Sequence, residues 1–189
     1  MNIRDFKQDL LNKLYEPYKN CVQCPLGSLG RTHVVFGEGD ANAQLMFVGE
    51  GPGREEDKQG RPFIGRAGQL LTKTLLSLNI ARNEVYITNV VKCRPPHNRN
   101  PEPIESTTCK NLLLFNQIKI IKPTIIITLG AIALHAFFQK PLKISQERGK
   151  IHRLNSLKLM PTFHPAYILR NPAALSFFID DLKTAIENI

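Results

Sequence analysis

Apolar residues return at helical spacing near the start of the chain. Ile3, Phe6, Leu10, Leu11 and Leu14 form one stripe, which predicts an amphipathic helix over residues 3–18. The continuous run Leu45-Met46-Phe47-Val48 is short and wholly apolar, as a strand buried on both faces requires, and predicts a strand over 44–49. Leu70, Leu71, Leu75, Leu76 and Leu78 restore the helical period and stop near Asn79. "EVYITNVVKC" (84–93) is rich in β-branched residues and reads as a strand. "RPPHNRNPEP" (94–103) cannot be helical before Ile104, because its prolines lack the amide hydrogen that helix interiors use. A helix over 104–120, the strand "TIIITLG" (124–130), the helix "AIALHAFFQ" (131–139), a strand over 157–162 and a helix over 173–188 follow.

Strands that alternate with helices define an α/β protein. The expected architecture is a three-layer α/β/α fold with a central, mostly parallel four-stranded sheet. Such sheets bind ligands beyond the carboxyl ends of their strands. Here those ends lead into Glu50, Asn89, Gly130 and His164, residues far apart in sequence that this topology gathers at one rim.

The loop after the first long strand departs from a simple reversal. "GEGPGREEDKQGRPFIG" (49–65) holds five glycines, two prolines and four acids. Glycines let backbone approach a ligand, yet the spacing is that of neither nucleotide-binding fingerprint, G-x-G-x-x-G or G-x-x-x-x-G-K-[ST]. Glu50 fits a surface or capping acid, or a carboxylate that orients water. Phe63 fits a loop anchor or a stacking surface for a planar ring. Asn89 lies among apolar neighbours and must satisfy its amide through backbone or through the edge of a base. His164 precedes a proline that keeps it out of a helix.

At 189 residues and 21.3 kDa the chain is long enough for one domain, expected to span 1–189. Its 25 basic against 16 acidic residues give a formal charge of +9, which favours a polyanionic partner such as nucleic acid. Segment 139–153 carries Lys140, Lys143, Arg148, Lys150 and Arg153 against Glu147 and is expected to be an exposed basic loop. The apolar runs are too short to span a bilayer, and no secretion signal opens the chain. The expectation is a cytoplasmic protein that does not engage membranes. In that setting Cys21, Cys24, Cys93 and Cys109 point to metal ligation rather than disulfides. Tetrahedral zinc and an iron–sulfur cluster both remain compatible with their spacing.

Three separated motifs, "GEGPGREEDKQGRPFIGRAGQLL", "TNVVKCRPPHNRNPEPIE" and "TFHPAYILRNP", together with the upstream C-x-x-C, resemble the family-4 (iron–sulfur cluster) uracil-DNA glycosylases from about Cys21 to Pro172. The resemblance implies a monomeric DNA-repair enzyme of base excision repair. It would hydrolyse uracil from single- or double-stranded uracil-containing DNA and carry one [4Fe-4S] cluster on Cys21, Cys24, Cys93 and Cys109. It further implies Glu50 and His164 as catalytic, with Gly49, Gly51, Phe63 and Asn89 holding the base. Tyr167, Leu169 and Arg170 would enter or contact DNA. Position 51 departs from the family pattern, which more often has alanine. Two other functions are compatible with parts of the pattern: a covalent trap for the DNA, and a ferredoxin-like electron carrier. The second explains the cysteines but not Phe63, Asn89 and His164.

Overall fold

A computed structural model of the chain describes residues 2–138, 142–154 and 157–189. The first helix, α1 (Ile3–Tyr15), starts where the Asn2 side chain accepts the Asp5 amide at 2.9 Å. It stops three residues short of the expected end because Pro17 opens a single tight turn. A two-residue strand β1 (Glu38–Gly39) precedes β2 (Leu45–Gly49), which is buried throughout. The glycine-rich loop contains a helix not foreseen from its composition, α2 (Arg54–Gln59), closed by Gly60 in the left-handed conformation (φ 70°).

Next come α3 (Arg66–Ser77) and β3 (Tyr86–Asn89). The expected helix over 104–120 is three pieces: α4 (Pro103–Cys109), a π-turn at Lys110–Leu114, and α5 (Phe115–Ile121). The extra residue of the π-turn falls directly after Cys109. After β4 (Ile125–Leu129) and α6 (Ala131–His135), the basic segment holds a short helix α7 (Ile144–Glu147) and a strand β5 (His152–Leu154). It is therefore not simply a loop, and Lys140 lies outside the described residues. The chain ends with β6 (Leu157–Thr162), α8 (Pro165–Arg170) and α9 (Leu175–Glu187).

The sheet order is β1-β3-β2-β4-β6-β5. Its middle four strands are parallel, as expected, and the edge strands β1 and β5 add antiparallel pairings. Alternation along the strands decides which helices cover which face. Met46, Val48, Tyr86, Ile126 and Leu159 pack with Leu11, Leu114, Ile118 and Leu134 from α1, the π-turn, α5 and α6. Leu45, Phe47, Ile87, Ile127 and Met160 pack with Leu71, Leu75, Phe178 and Leu182 from α3 and α9. Two helix layers thus sandwich the sheet, and burial of these side chains stabilises each by about 1.5–3 kcal/mol.

One buried ion pair ties the basic segment to this frame. Arg148 donates through Nε to Asp181 Oδ2 at 3.0 Å, and Thr162 at the end of β6 donates to the same oxygen at 2.6 Å. Asp181 is 2% exposed, so removing Arg148 alone would leave a buried, unpaired carboxylate.

Candidate active site

The parallel strands end at one rim, where a cavity of about 530 Å³ opens. That is the size of a small-molecule pocket. Its walls include Glu50, Phe63, Asn89, Asn98, His164 and Arg170. Glu50 follows β2, Asn89 ends β3, and His164 links β6 to α8, so the sheet topology itself brings them together.

Asn89 is 1% exposed and its Oδ1 has no hydrogen-bond partner. An unsatisfied buried carbonyl costs roughly 1–3 kcal/mol and asks for a donor from outside the fold. Phe63 stands beside it, 6% exposed, with φ 51°. A left-handed conformation is uncommon for an aromatic residue and persists only where neighbours enforce it. Two contacts do so here. Arg82, paired with Glu38, donates from Nη2 to the Pro62 carbonyl at 2.6 Å. On the other side, Glu56 Oε1 accepts the Ile64 and Gly65 amides at 2.9 and 2.7 Å.

Gly49 makes the slot between amide and ring. A Cβ there would lie 2.4 Å from Asn89 Oδ1 and 2.5 Å from Phe63 Cζ. Gly49→Ala is therefore expected to displace one of the two and to lower turnover about 100-fold, the usual scale for a displacement near 1 Å at a reacting site. Binding of the substrate's remote parts should be unchanged, which rate and affinity measurements on the same variant would check. Gly51 lines the cavity itself, and a Cβ there would press on Val91 at 2.7 Å.

His164 caps α8: its Nδ1 accepts the Ala166 amide at 3.1 Å, which assigns the proton to Nε2. Its ring centroid stands 5.7 Å from that of Phe63. Burial, with repulsion from Arg170, lowers its pKa to about 4, so the ring is neutral at pH 7. Gly130, at φ 90°, runs under it; a Cβ there would approach the His164 Cβ to 3.1 Å. Glu50 is half-buried, and burial raises its pKa above the usual carboxylate value.

Arg170 lines the cavity, whereas Tyr167 and Leu169 do not. Both project from α8 with 38% exposure, beyond the His164 cap. Sequence reading passed over Glu56, Asn98 and Arg99. Glu56 was one of four acids in a loop, with nothing to single it out. Asn98 and Arg99 stand in the proline-rich loop, fixed by the Arg99 pair with buried Glu105 at 2.7 Å.

The four cysteines form no disulfide. Cys93 and Cys109 are buried, Cys21 and Cys24 pack against the same cluster, and all four lie within one another's electrostatic reach. Burial pushes the thiols of Cys93 and Cys109 up to about 12 and about 11. A backbone amide meets one of the sulfurs: Lys92 N–H donates to Cys109 Sγ at 3.3 Å. Among the described residues no group of three or more His, Cys, Asp or Glu side chains is arranged to hold a single metal ion. No helix among them is long and apolar enough to cross a membrane.

Known proteins resemble this chain over most of its length. The model of the uracil DNA glycosylase superfamily matches residues 36–185. A type-4 uracil-DNA glycosylase from Thermotoga maritima is 52% identical, covering 87% of this chain and 86% of that protein. Type-4 uracil-DNA glycosylases from Pyrobaculum aerophilum and Sulfurisphaera tokodaii are each 44% identical, covering 91% and 93% of this chain and 91% and 83% of their own lengths. The superfamily match over most of the chain and the identity to these relatives show that the chain belongs to the uracil DNA glycosylase superfamily, in the type-4 branch.

Proposed function

We propose that the chain is a monofunctional uracil-DNA glycosylase of base excision repair, acting as a monomer of one domain over 1–189 on single- or double-stranded DNA. The observation that carries the reading is the unpartnered Asn89 carbonyl in a slot walled by Phe63. A uracil offers N3–H to that acceptor and O4 to the Asn89 amide hydrogens. Cytosine presents the opposite pattern, and a buried mismatch of this kind discriminates strongly.

Within a duplex the base must leave the stack, at a cost of a few kcal/mol. The basic surface offsets part of this through phosphates, in a salt-dependent way. Tyr167 and Leu169, exposed and apolar, suit the space the base vacates, and Arg170 suits a contact to the strand. Phe63 then covers the flipped ring. As the glycosidic bond breaks, negative charge grows on uracil, and the His164 Nε2–H donates to it, a contribution on the scale of an oxyanion contact, about 3–4 kcal/mol. Glu50, as a carboxylate, orients the water that attacks the sugar or supports the cation forming there.

The cysteine set suits an iron–sulfur centre: four thiols within one another's electrostatic reach, free of disulfides, with an amide donor to the Cys109 sulfur. Cys21, Cys24, Cys93 and Cys109 would hold a [4Fe-4S] cluster, and its binding would release protons that burial otherwise keeps on Cys93 and Cys109. When bound it supplies a cross-link between the N-terminal segment and the loop after β3. Hydrolysis itself transfers no electrons.

The test is release of free uracil from a uracil-containing oligonucleotide, with many turnovers per enzyme and no adduct that survives denaturation. A stoichiometric, denaturation-resistant adduct would replace the glycosylase with a covalent trap. Because the His164 ring titrates at about 4, its protonation should contribute no step to the rate between about pH 6 and 8. A step centred on the ordinary imidazole pKa that disappears in His164→Gln would remove the neutral donor from the mechanism.

A further inference from the structure

Lys92 is 0% exposed and carries its side-chain amine into the interior. Its side chain folds back under the end of β3, and its Nζ lies within hydrogen-bond distance of three oxygens. These are the Thr88 hydroxyl, the Asn89 main-chain carbonyl at 2.7 Å and the Gln117 side-chain carbonyl at 2.7 Å. None is a carboxylate. Gln117, also 0% exposed, gives its amide hydrogens to the Phe36 carbonyl at 2.9 Å and the Tyr86 hydroxyl at 3.2 Å. Thr88 gives its hydrogen to the Phe36 carbonyl at 2.8 Å. Thr88 and Gln117 thus have their donors used within this buried network, and such networks hold one geometry.

A methionine would fill the same volume without the cost of burying a charge. What the amine adds is an N–H grip on the Asn89 carbonyl. Asn89 is the last residue of β3, where the chain leaves the ladder. Movement of its carbonyl would turn its Cα–Cβ bond, and the slot beside Gly49 and Phe63 leaves the amide no room to compensate.

We infer that Lys92 is a positioning residue for base recognition: through the Asn89 carbonyl it fixes the peptide that aims the Asn89 amide into the cavity. The role rests on the base-reading function proposed for Asn89, which Asn89→Ala tests by itself. The deciding experiment is a double-mutant cycle. Lys92→Met and Gln117→Leu are each made with Asn89 present and with Asn89→Ala. Single-turnover uracil release, iron content and affinity for uracil-free duplex are measured for all.

With Asn89 present, Lys92→Met should slow release about 100-fold while iron content and duplex affinity stay unchanged. In the Asn89→Ala background the same change should cost less than about threefold, since there is no amide left to aim. Gln117→Leu, which removes the far anchor of Lys92, should follow the same pattern with a smaller loss. It decides the matter if Lys92→Met does not accumulate as folded protein. Equal losses in the two backgrounds, or no loss with Asn89 present, overturn the positioning role. Unchanged release by Asn89→Ala alone would instead remove the base-reading function, and the positioning role with it.

Discussion

Asn89→Ala is expected to slow uracil release by on the order of 10³-fold while changing affinity for uracil-free DNA by less than about threefold. The separation follows from where the side chain sits. It is buried, its Oδ1 bonds nothing in the protein, and its only outlet is the cavity. Removing it leaves the fold intact, because no internal hydrogen bond through Oδ1 is lost. Alanine should even relieve the penalty of the orphan carbonyl, so the melting temperature should hold or rise slightly. Loss of rate without loss of stability is the signature of a group whose partner is the substrate. Equal losses of excision and of binding to uracil-free DNA would refute the reading role. Duplex binding in the variant is the internal control, since phosphate contacts supply it and those come from other residues.

The rim was legible before the coordinates because strand ends are easily read. Continuous apolar runs such as Leu45–Val48 and Ile125–Ile127 announce buried parallel strands, and topology then dictates that their carboxyl ends share an edge. That logic brought Glu50, Asn89 and His164 together at one cavity.

What escaped the sequence has physical causes of its own. The helix α2 hides in a segment whose glycines read as loop, since Gly53 and Gly60 serve as its ends. The edge strands β1 and β5 span two and three residues, too short for any period to appear. Phe63 owes its orientation to Arg82 and Glu56 from other elements, and no local pattern encodes contacts of that range. Lys92 is the sharpest case. Nothing in "VVKC" singles out its lysine, which tertiary hydrogen bonding makes wholly buried.

Cys93→Ser carries the other large expected effect, and it bears on stability rather than on chemistry. The wild-type protein, purified without oxygen, should hold about four irons per chain and absorb visible light. Serine offers a harder oxygen with a far higher pKa than a thiol, so the variant should lose both iron and colour. Cys93 is 5% exposed and continues directly from Lys92, whereas Cys21 lies in the segment after α1. With the ligand gone, the cross-link between those segments goes too. Loss of a structural metal centre exceeds about 4 kcal/mol, which in a domain of this size lowers the melting temperature by on the order of 10 °C. Two simpler changes bound the result. If Cys93 were only a small apolar core residue, serine would cost about 1–3 kcal/mol for a buried hydroxyl and iron content would not matter. If the cluster took part in hydrolysis, activity per folded molecule would vanish with the iron. The expected outcome lies between these: iron and melting temperature fall together, while the molecules still folded release uracil at close to the wild-type rate. Iron-free wild-type protein of full stability would defeat the ligand assignment at its root.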